Sequence, residues 1–221
     1  MENTQPSVFV FDAYGTLFDV HSAVQERGSA LGDKAADVSE TWRAKQLEYS
    51  WVRSLMGSYA DFWTLTKDAL DFALRKHGFD AFDKAVTQPL LDAYLELKIY
   101  SDAFDALKAL KKQGVKTAIL TNGSPDMITT AVDSAGIADL LDEIFCVDAV
   151  KTFKTSAATY RMVTDTWEIV PKQVQFFSSN RWDIAGATKF GFHTTWVNRS
   201  NAPDEYAKYA PENVVSDLSA L

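Results

Sequence analysis

The chain has 221 residues, 47% of them hydrophobic, enough to bury a sizeable core in one large domain or a domain carrying an insertion. Its 22 Lys and Arg against 30 Asp and Glu give a formal net charge of -8, which argues against nucleic-acid binding through a global basic field and for a small-molecule partner. No apolar run approaches the roughly 20 residues that span a bilayer, and the opening Met1-Glu2-Asn3-Thr4 lacks the basic and apolar regions of a secretory leader. A cytoplasmic protein without membrane contact is therefore expected. Cys146 is the only cysteine, so no intrachain disulfide or cysteine-based metal cluster is available, and its apolar neighbours suggest core packing.

The first element is Val8-Phe9-Val10-Phe11, a β-branched and aromatic run that reads as a buried parallel strand delivering Asp12 into the turn Ala13-Tyr14-Gly15-Thr16. Ligands in open α/β sheets gather at the carboxyl ends of the strands, which makes Asp12 a candidate nucleophile. The same carboxylate could equally cap the next helix. From about 22 to 98 the only proline is Pro89, and apolar residues recur at helical spacing, as in Leu90, Leu91, Tyr94, Leu95 and Leu97. In this block Arg43 precedes Leu47, Trp51 and Leu55 on one helix ridge, so a guanidinium heads an apolar face and either snorkels outward or meets an anion.

Beyond the helical block the pattern turns to α/β, with strands predicted at 115–120, 144–147, 174–177, 194–197 and 214–215, separated by helical stretches such as 103–113. Residues 1–18 and 99–221 are expected to form one doubly wound, Rossmann-like α/β core with a mostly parallel sheet. Residues 19–98 would be an inserted helical cap over its carboxyl edge. Thr121-Asn122-Gly123-Ser124-Pro125 follows the second strand, with Ser124 as a helix N-cap and Pro125 as the first helical residue. Free amides at that helix start could hold a substrate carboxylate, although ordinary turn formation explains the same residues. Taken singly, Lys154 reads as a solvated lysine and Asp183 as a helix-start carboxylate. His21, His77 and His193 show no metal-ligand spacing and read as structural or surface residues, His21 being the one nearest Asp12 in sequence.

The segment Phe11-Asp12-Ala13-Tyr14-Gly15-Thr16-Leu17 resembles the first motif of the haloacid dehalogenase superfamily, whose nucleophile is the aspartate before the turn. Phosphatases of that superfamily place a second aspartate two positions later as general acid and pair their aspartates around magnesium. Here Tyr14 stands there, a phenol with an ordinary pKa of about 10 and a poor ligand for a hard cation. The run Phe176-Phe177-Ser178-Ser179-Asn180-Arg181-Trp182-Asp183 likewise offers Ser-Ser-Asn where phosphatases have an aspartate, and keeps only Asp183. The stretch from Trp42 through Met56 is similar to the cap helix of type II, L-specific 2-haloacid dehalogenases.

That resemblance implies a hydrolase needing no metal or cofactor and acting on short L-2-haloalkanoates. Asp12 would attack C2, giving an inverted ester that water hydrolyses at the aspartyl carbonyl, with a D-2-hydroxy acid as product. Thr16 and Ser178 would position Asp12, while Arg43 and Asn180 receive the halide. Lys154 rather than Lys151 matches the family lysine, because Tyr160 follows it by the expected spacing; its ammonium would offset repulsion when an anionic substrate arrives. Asp183 would help activate water. Thr121, in place of the family's usual serine, and Asn122 would bind the substrate carboxylate. Tyr14, Leu47, Phe62 and Trp182 would form the apolar wall, and Tyr160 would also line the substrate site. Thr155 stands where a proline is usual and Ala44 where a glutamine is common, implying a looser loop and a different pocket mouth. Relatives often pair through cap and core helices, which allows a homodimer. Two other readings are a magnesium-dependent phosphatase, opposed by the two missing carboxylates, and a non-catalytic carboxylate-binding protein, which would gain nothing from two carboxylates in its site.

Overall fold

The structure, a computed structural model, describes residues 6–221; the Met1-Glu2-Asn3-Thr4 opening lies outside them. Six strands, β1 (Val8–Phe11), β2 (Lys116–Thr121), β3 (Glu143–Cys146), β4 (Val174–Ser178), β5 (His193–Val197) and β6 (Asn213–Val215), form one sheet in the order β3-β2-β1-β4-β5-β6. Every neighbouring pair is parallel. This is the doubly wound arrangement: the chain steps outward from β1 through β2 and β3, then returns to the other side of β1 with β4. Such a reversal of strand order makes the carboxyl ends beside β1 the natural ligand crevice.

Phe11 pairs with Ile119 of β2 and Phe177 of β4, so the residues just beyond these three strands emerge side by side. The ladder runs one residue further, the Asp12 amide donating to the Phe177 carbonyl at 2.9 Å. Val10 and Phe11 are buried, as a central strand covered on both faces requires, which is why the run is apolar rather than alternating. Cys146 closes β3 half-buried, and burial pushes its thiol up.

The chain divides into two compact units. The first comprises the segment ending at Phe18, Ile99–Asn122 and Gly136–Leu221, and holds the sheet with helices α5 (Ser101–Lys112), α7 (Ala157–Trp167) and α8 (Arg181–Phe190). The second comprises Asp19–Lys98 with Gly123–Ala135, and holds α1 (Ser22–Arg27), α2 (Ala35–Met56), α3 (Phe62–Lys76), α4 (Lys84–Leu95) and α6 (Pro125–Ser134). Sequence order suggests that residues 123–135 stay with the sheet; α6 instead clusters with the helical segment, where it packs on α4. A helix linking two strands goes where its apolar face is buried, not where chain order points.

The buried residues of α2 are Val38, Ser39, Trp42, Gln46 and Ser50. Arg43 and Leu47 are only half-buried, and Leu55, at 88% exposure, lies in solvent, so the 43-47-51-55 ridge is not the core face. Polar residues hide the true face from an apolar count. Gln46 and Ser50 tolerate burial because both are bonded, Gln46 Nε2 to Thr66 Oγ1 at 2.9 Å and Ser50 Oγ to the Leu47 carbonyl at 2.7 Å. Among the described residues, no helix is long and apolar enough to cross a membrane.

Candidate active site

Asp12 caps no helix, because α1 starts well beyond it with His21 at its N-cap. Its side chain is 7% exposed and its two oxygens are treated differently. Oδ2 accepts from Thr16 Oγ1 at 3.0 Å, Ser178 Oγ at 3.3 Å and Asn180 Nδ2 at 2.8 Å. Oδ1 is bonded by the Lys154 ammonium at 3.0 Å. The turn that brings Thr16 back under Asp12 needs Gly15, whose φ of +93° is a left-handed value, and a Cβ there would meet Ser179 Oγ at 3.0 Å. The Ser179 amide donates to Thr16 Oγ1 at 2.8 Å, which leaves the hydroxyl proton for Asp12.

Lys154 is not the solvated lysine its local sequence suggests: its side chain is 0% exposed, and Nζ bridges Asp12 to Asp183 Oδ2 at 2.8 Å. Burial by itself would lower the lysine's pKa, but the two carboxylates outweigh it and hold it above the ordinary lysine range. Asp183 sits in the first turn of α8, fully buried, with Oδ1 accepting from the Tyr160 hydroxyl at 2.8 Å. Burial pushes its carboxyl up to about 6, Lys154 pulls it down, and the Asp12 charge pushes it up again. Tyr160 can come this close because Gly186 carries no Cβ; one there would overlap the Tyr160 hydroxyl and lie 2.7 Å from Thr155. The Tyr160 phenol is held well above its ordinary pKa, first by burial and then by Asp183, so it remains a donor.

Thr16, Lys154, Tyr160, Ser178, Asn180 and Asp183 thus share one hydrogen-bonded cluster with Asp12. Asn180 also donates to the Tyr14 carbonyl at 3.1 Å, tying down the backbone of the residue expected in the pocket wall. Asn122 is also tied to the cluster: its Oδ1 accepts from the Lys154 amide at 3.0 Å and so holds the lysine loop. Thr121 is buried at the end of β2, and Trp182 is half-buried in the first turn of α8. Pro125 does begin α6, yet the Ser124 side chain makes no capping bond. Arg43, Leu47 and Phe62 belong to the helical unit, half-buried, half-buried and buried respectively. Each histidine has a local partner: His21 with Ser39, His77 with Thr41 and His193 with Glu212.

Two residues of this neighbourhood escaped the sequence reading. Ser179 braces Thr16, as described. Arg199 donates to the Thr16 carbonyl at 2.9 Å and pairs in bidentate fashion with Asp102 at 3.1 and 2.7 Å, stacked 3.9 Å from the Tyr100 ring centroid. Its place just after β5, at a strand's carboxyl end, was the available signal. The donor set around Asp12 does not suit the magnesium ion of the superfamily's phosphatases. Oδ2 faces O–H and N–H donors, and an ammonium already spans the two carboxylates. Among the described residues, no group of three or more His, Cys, Asp or Glu side chains could hold a metal ion.

A Rossmann-like sheet with an anchored carboxylate at the end of its central strand, linked through a buried lysine to a second carboxylate, defines a hydrolase class. The family model of haloacid dehalogenase-like hydrolases matches residues 6–191, and the chain belongs to that family, within its L-2-haloacid dehalogenase branch. It is 46% identical to (S)-2-haloacid dehalogenase 1 of Pseudomonas sp. (strain CBS-3), over 96% of this chain and 93% of that protein. It is 44% identical to (S)-2-haloacid dehalogenase 4A of Burkholderia cepacia, over 96% of this chain and 91% of the relative. A solved L-2-haloacid dehalogenase from Xanthobacter autotrophicus with chloropropionic acid covalently bound matches with a TM-score of 0.87 at 36% identity, covering 97% of this chain and 96% of that one.

Proposed function

We propose that this protein hydrolyses short L-2-haloalkanoates to D-2-hydroxy acids and halide through an ester on Asp12. The observation that carries the reading is the unequal bonding of the Asp12 carboxylate. Oδ2, with three neutral donors, is the anchored oxygen, and Oδ1, bonded by the Lys154 ammonium, is the attacking one. Oδ1 forms a bond to substrate C2 from the side opposite the halogen, and the halide leaves with the electron pair of the broken bond. Water then adds to the ester carbonyl of Asp12 while Asp183 takes its proton. As the acyl–oxygen bond breaks, the leaving alkoxide oxygen takes back the proton held by Asp183, the added oxygen's remaining proton passes to solvent, and the hydroxy acid is freed with the Asp12 carboxylate regenerated. A carboxyl poised at about 6 is ionised at neutral pH and still basic enough for that transfer.

Arg43 and Asn180 receive the departing halide; Tyr14, Leu47, Phe62 and Trp182 enclose the carbon chain; Thr121 and Asn122 are assigned to the substrate carboxylate. These roles are carried over from the family motifs onto the matching positions. The hydroxylic and amide donors at Asp12 Oδ2 oppose the magnesium-phosphatase reading. We assign the activity to the cytoplasm and, by the family's pairing habit, to a homodimer. Halide release from the two enantiomers of 2-chloropropionate, with and without a chelator, tests the proposal. We expect release from the L enantiomer, unaffected by chelation. Magnesium-dependent turnover of p-nitrophenyl phosphate without halide release would overturn it.

A further inference from the structure

Inside the helical unit a run of hydrogen bonds crosses a mainly apolar core. Tyr94 of α4 is buried, and its ring packs on Trp42 of α2 with centroids 4.7 Å apart. Its hydroxyl bonds Gln46 Oε1 at 3.0 Å, Gln46 Nε2 bonds Thr66 Oγ1 at 2.9 Å, and Thr66 Oγ1 bonds the Phe62 carbonyl at 2.8 Å. At the other end the Arg43 guanidinium hydrogen-bonds the Tyr94 hydroxyl. A guanidinium only donates, so the phenol oxygen accepts from Arg43 and its proton goes to Gln46. Every later bond is then directed as well: Arg43 to Tyr94, Tyr94 to Gln46, Gln46 to Thr66, Thr66 to the Phe62 carbonyl.

Gln46 and Thr66 are 0% exposed and Tyr94 is 2% exposed. Replacing buried hydrogen-bonded partners by apolar side chains of the same shape can be nearly neutral for stability, so a fully directed polar chain calls for another reason. Its two ends supply one, because both Arg43 and Phe62 are assigned to the substrate pocket. An arginine side chain loses considerable rotamer freedom when it is ordered. A guanidinium anchored during folding meets that cost before the halide departs, and preorganised donors contribute most where charge develops.

We propose that Tyr94 and Gln46 are positioning residues for carbon–halogen cleavage, their buried hydrogen-bond chain aiming the Arg43 guanidinium and linking it to the start of α3 at Phe62. The inference rests on the reading of Arg43 as the halide-facing residue. Tyr94→Phe keeps the ring against Trp42 and deletes the hydroxyl. The single-turnover rate of halide release from L-2-chloropropionate should fall by about tenfold to a hundredfold, with KM changing by less than about threefold. The loss should be larger for the chloro than for the bromo substrate, since the poorer leaving group depends more on its donor. Gln46→Met, one bond further away, should show a smaller loss in the same direction. In an Arg43→Lys background Tyr94→Phe should add less than about twofold, because its effect runs through the guanidinium.

A merely structural role would instead lower the melting temperature, slow both halides equally and add fully in the Arg43→Lys background. If Tyr94→Phe does not fold, the same readouts on Gln46→Met decide. Absence of halide release in the unmodified protein, or full turnover in Arg43→Lys, would sink the functional reading itself. An Arg43-dependent enzyme whose folded Tyr94→Phe variant keeps its rate, or loses it equally for both halides, would overturn this inference alone.

Discussion

Tyr160→Phe removes one hydrogen bond from the proposed base of ester hydrolysis and leaves its surroundings in place. The ring should keep its contacts with Phe176, Phe190 and Phe192, at centroid distances of 6.2, 5.8 and 5.9 Å. Asp183 loses the donor at 2.8 Å on Oδ1 and retains Lys154 at 2.8 Å on Oδ2. That donor favours the ionised carboxylate, so its deletion raises the pKa. A hydrogen bond to a charged acceptor is worth roughly 1.5–3 kcal/mol, and about 1.36 kcal/mol corresponds to one pK unit. Burial, Lys154 and Asp12 all weigh more on Asp183 than Tyr160 does, so the lower end applies and the shift should be about one unit upward. In the ester the Asp12 charge is gone, and with it one influence that raises Asp183. The acid limb of ester hydrolysis in the unmodified enzyme therefore lies below about 6, and that of Tyr160→Phe about one unit higher. The ester can be trapped by acid quenching and its decay followed by intact-protein mass from about pH 5 to about pH 9. Identical limb midpoints in the two proteins, both folded, would remove Asp183 from the role of base.

A single turnover in heavy-oxygen water with excess enzyme should place label in the Asp12 carboxylate and leave the first hydroxy acid unlabelled, and Asp12→Asn should be inactive. Label in the product with none in the Asp12 peptide would transfer the chemistry to an activated water. Asp102→Ala should strip Arg199 of its bidentate partner and the Leu218 amide of its acceptor at 2.9 Å, in a site where both side chains are about five-sixths buried. Discounted for that partial exposure, the loss should be about 2–3 kcal/mol, or about 5–10 °C in Tm for a chain of this size. A Tm within about a degree of the unmodified protein would show that the network does not support the Thr16 turn.

Whatever depends on near neighbours in the chain was readable from the residues alone. The Val8–Phe11 run had to be a buried strand, because β-branched and aromatic residues on both faces suit only a covered parallel sheet. Asp12, emerging from it before a Gly-Thr turn, was a strand-end carboxylate by the same logic, and the five later strands were found within a residue or two. The side chains gathered around Asp12 are another matter. Lys154 meets it across 142 positions of sequence, and nothing local separates that lysine from a solvated one; only packing that excludes water and brings two carboxylates to its ammonium does so. The buried face of α2 could not be read from apolar spacing, because Gln46 is a core residue only once Thr66 and Tyr94 satisfy its amide, while Ser50 bonds within the helix to the Leu47 carbonyl. Arg199 and the Tyr94 chain were missed for the same reason. Apolar periodicity is a property of one segment, but a hydrogen bond between distant side chains has no direction or partner until the fold sets both.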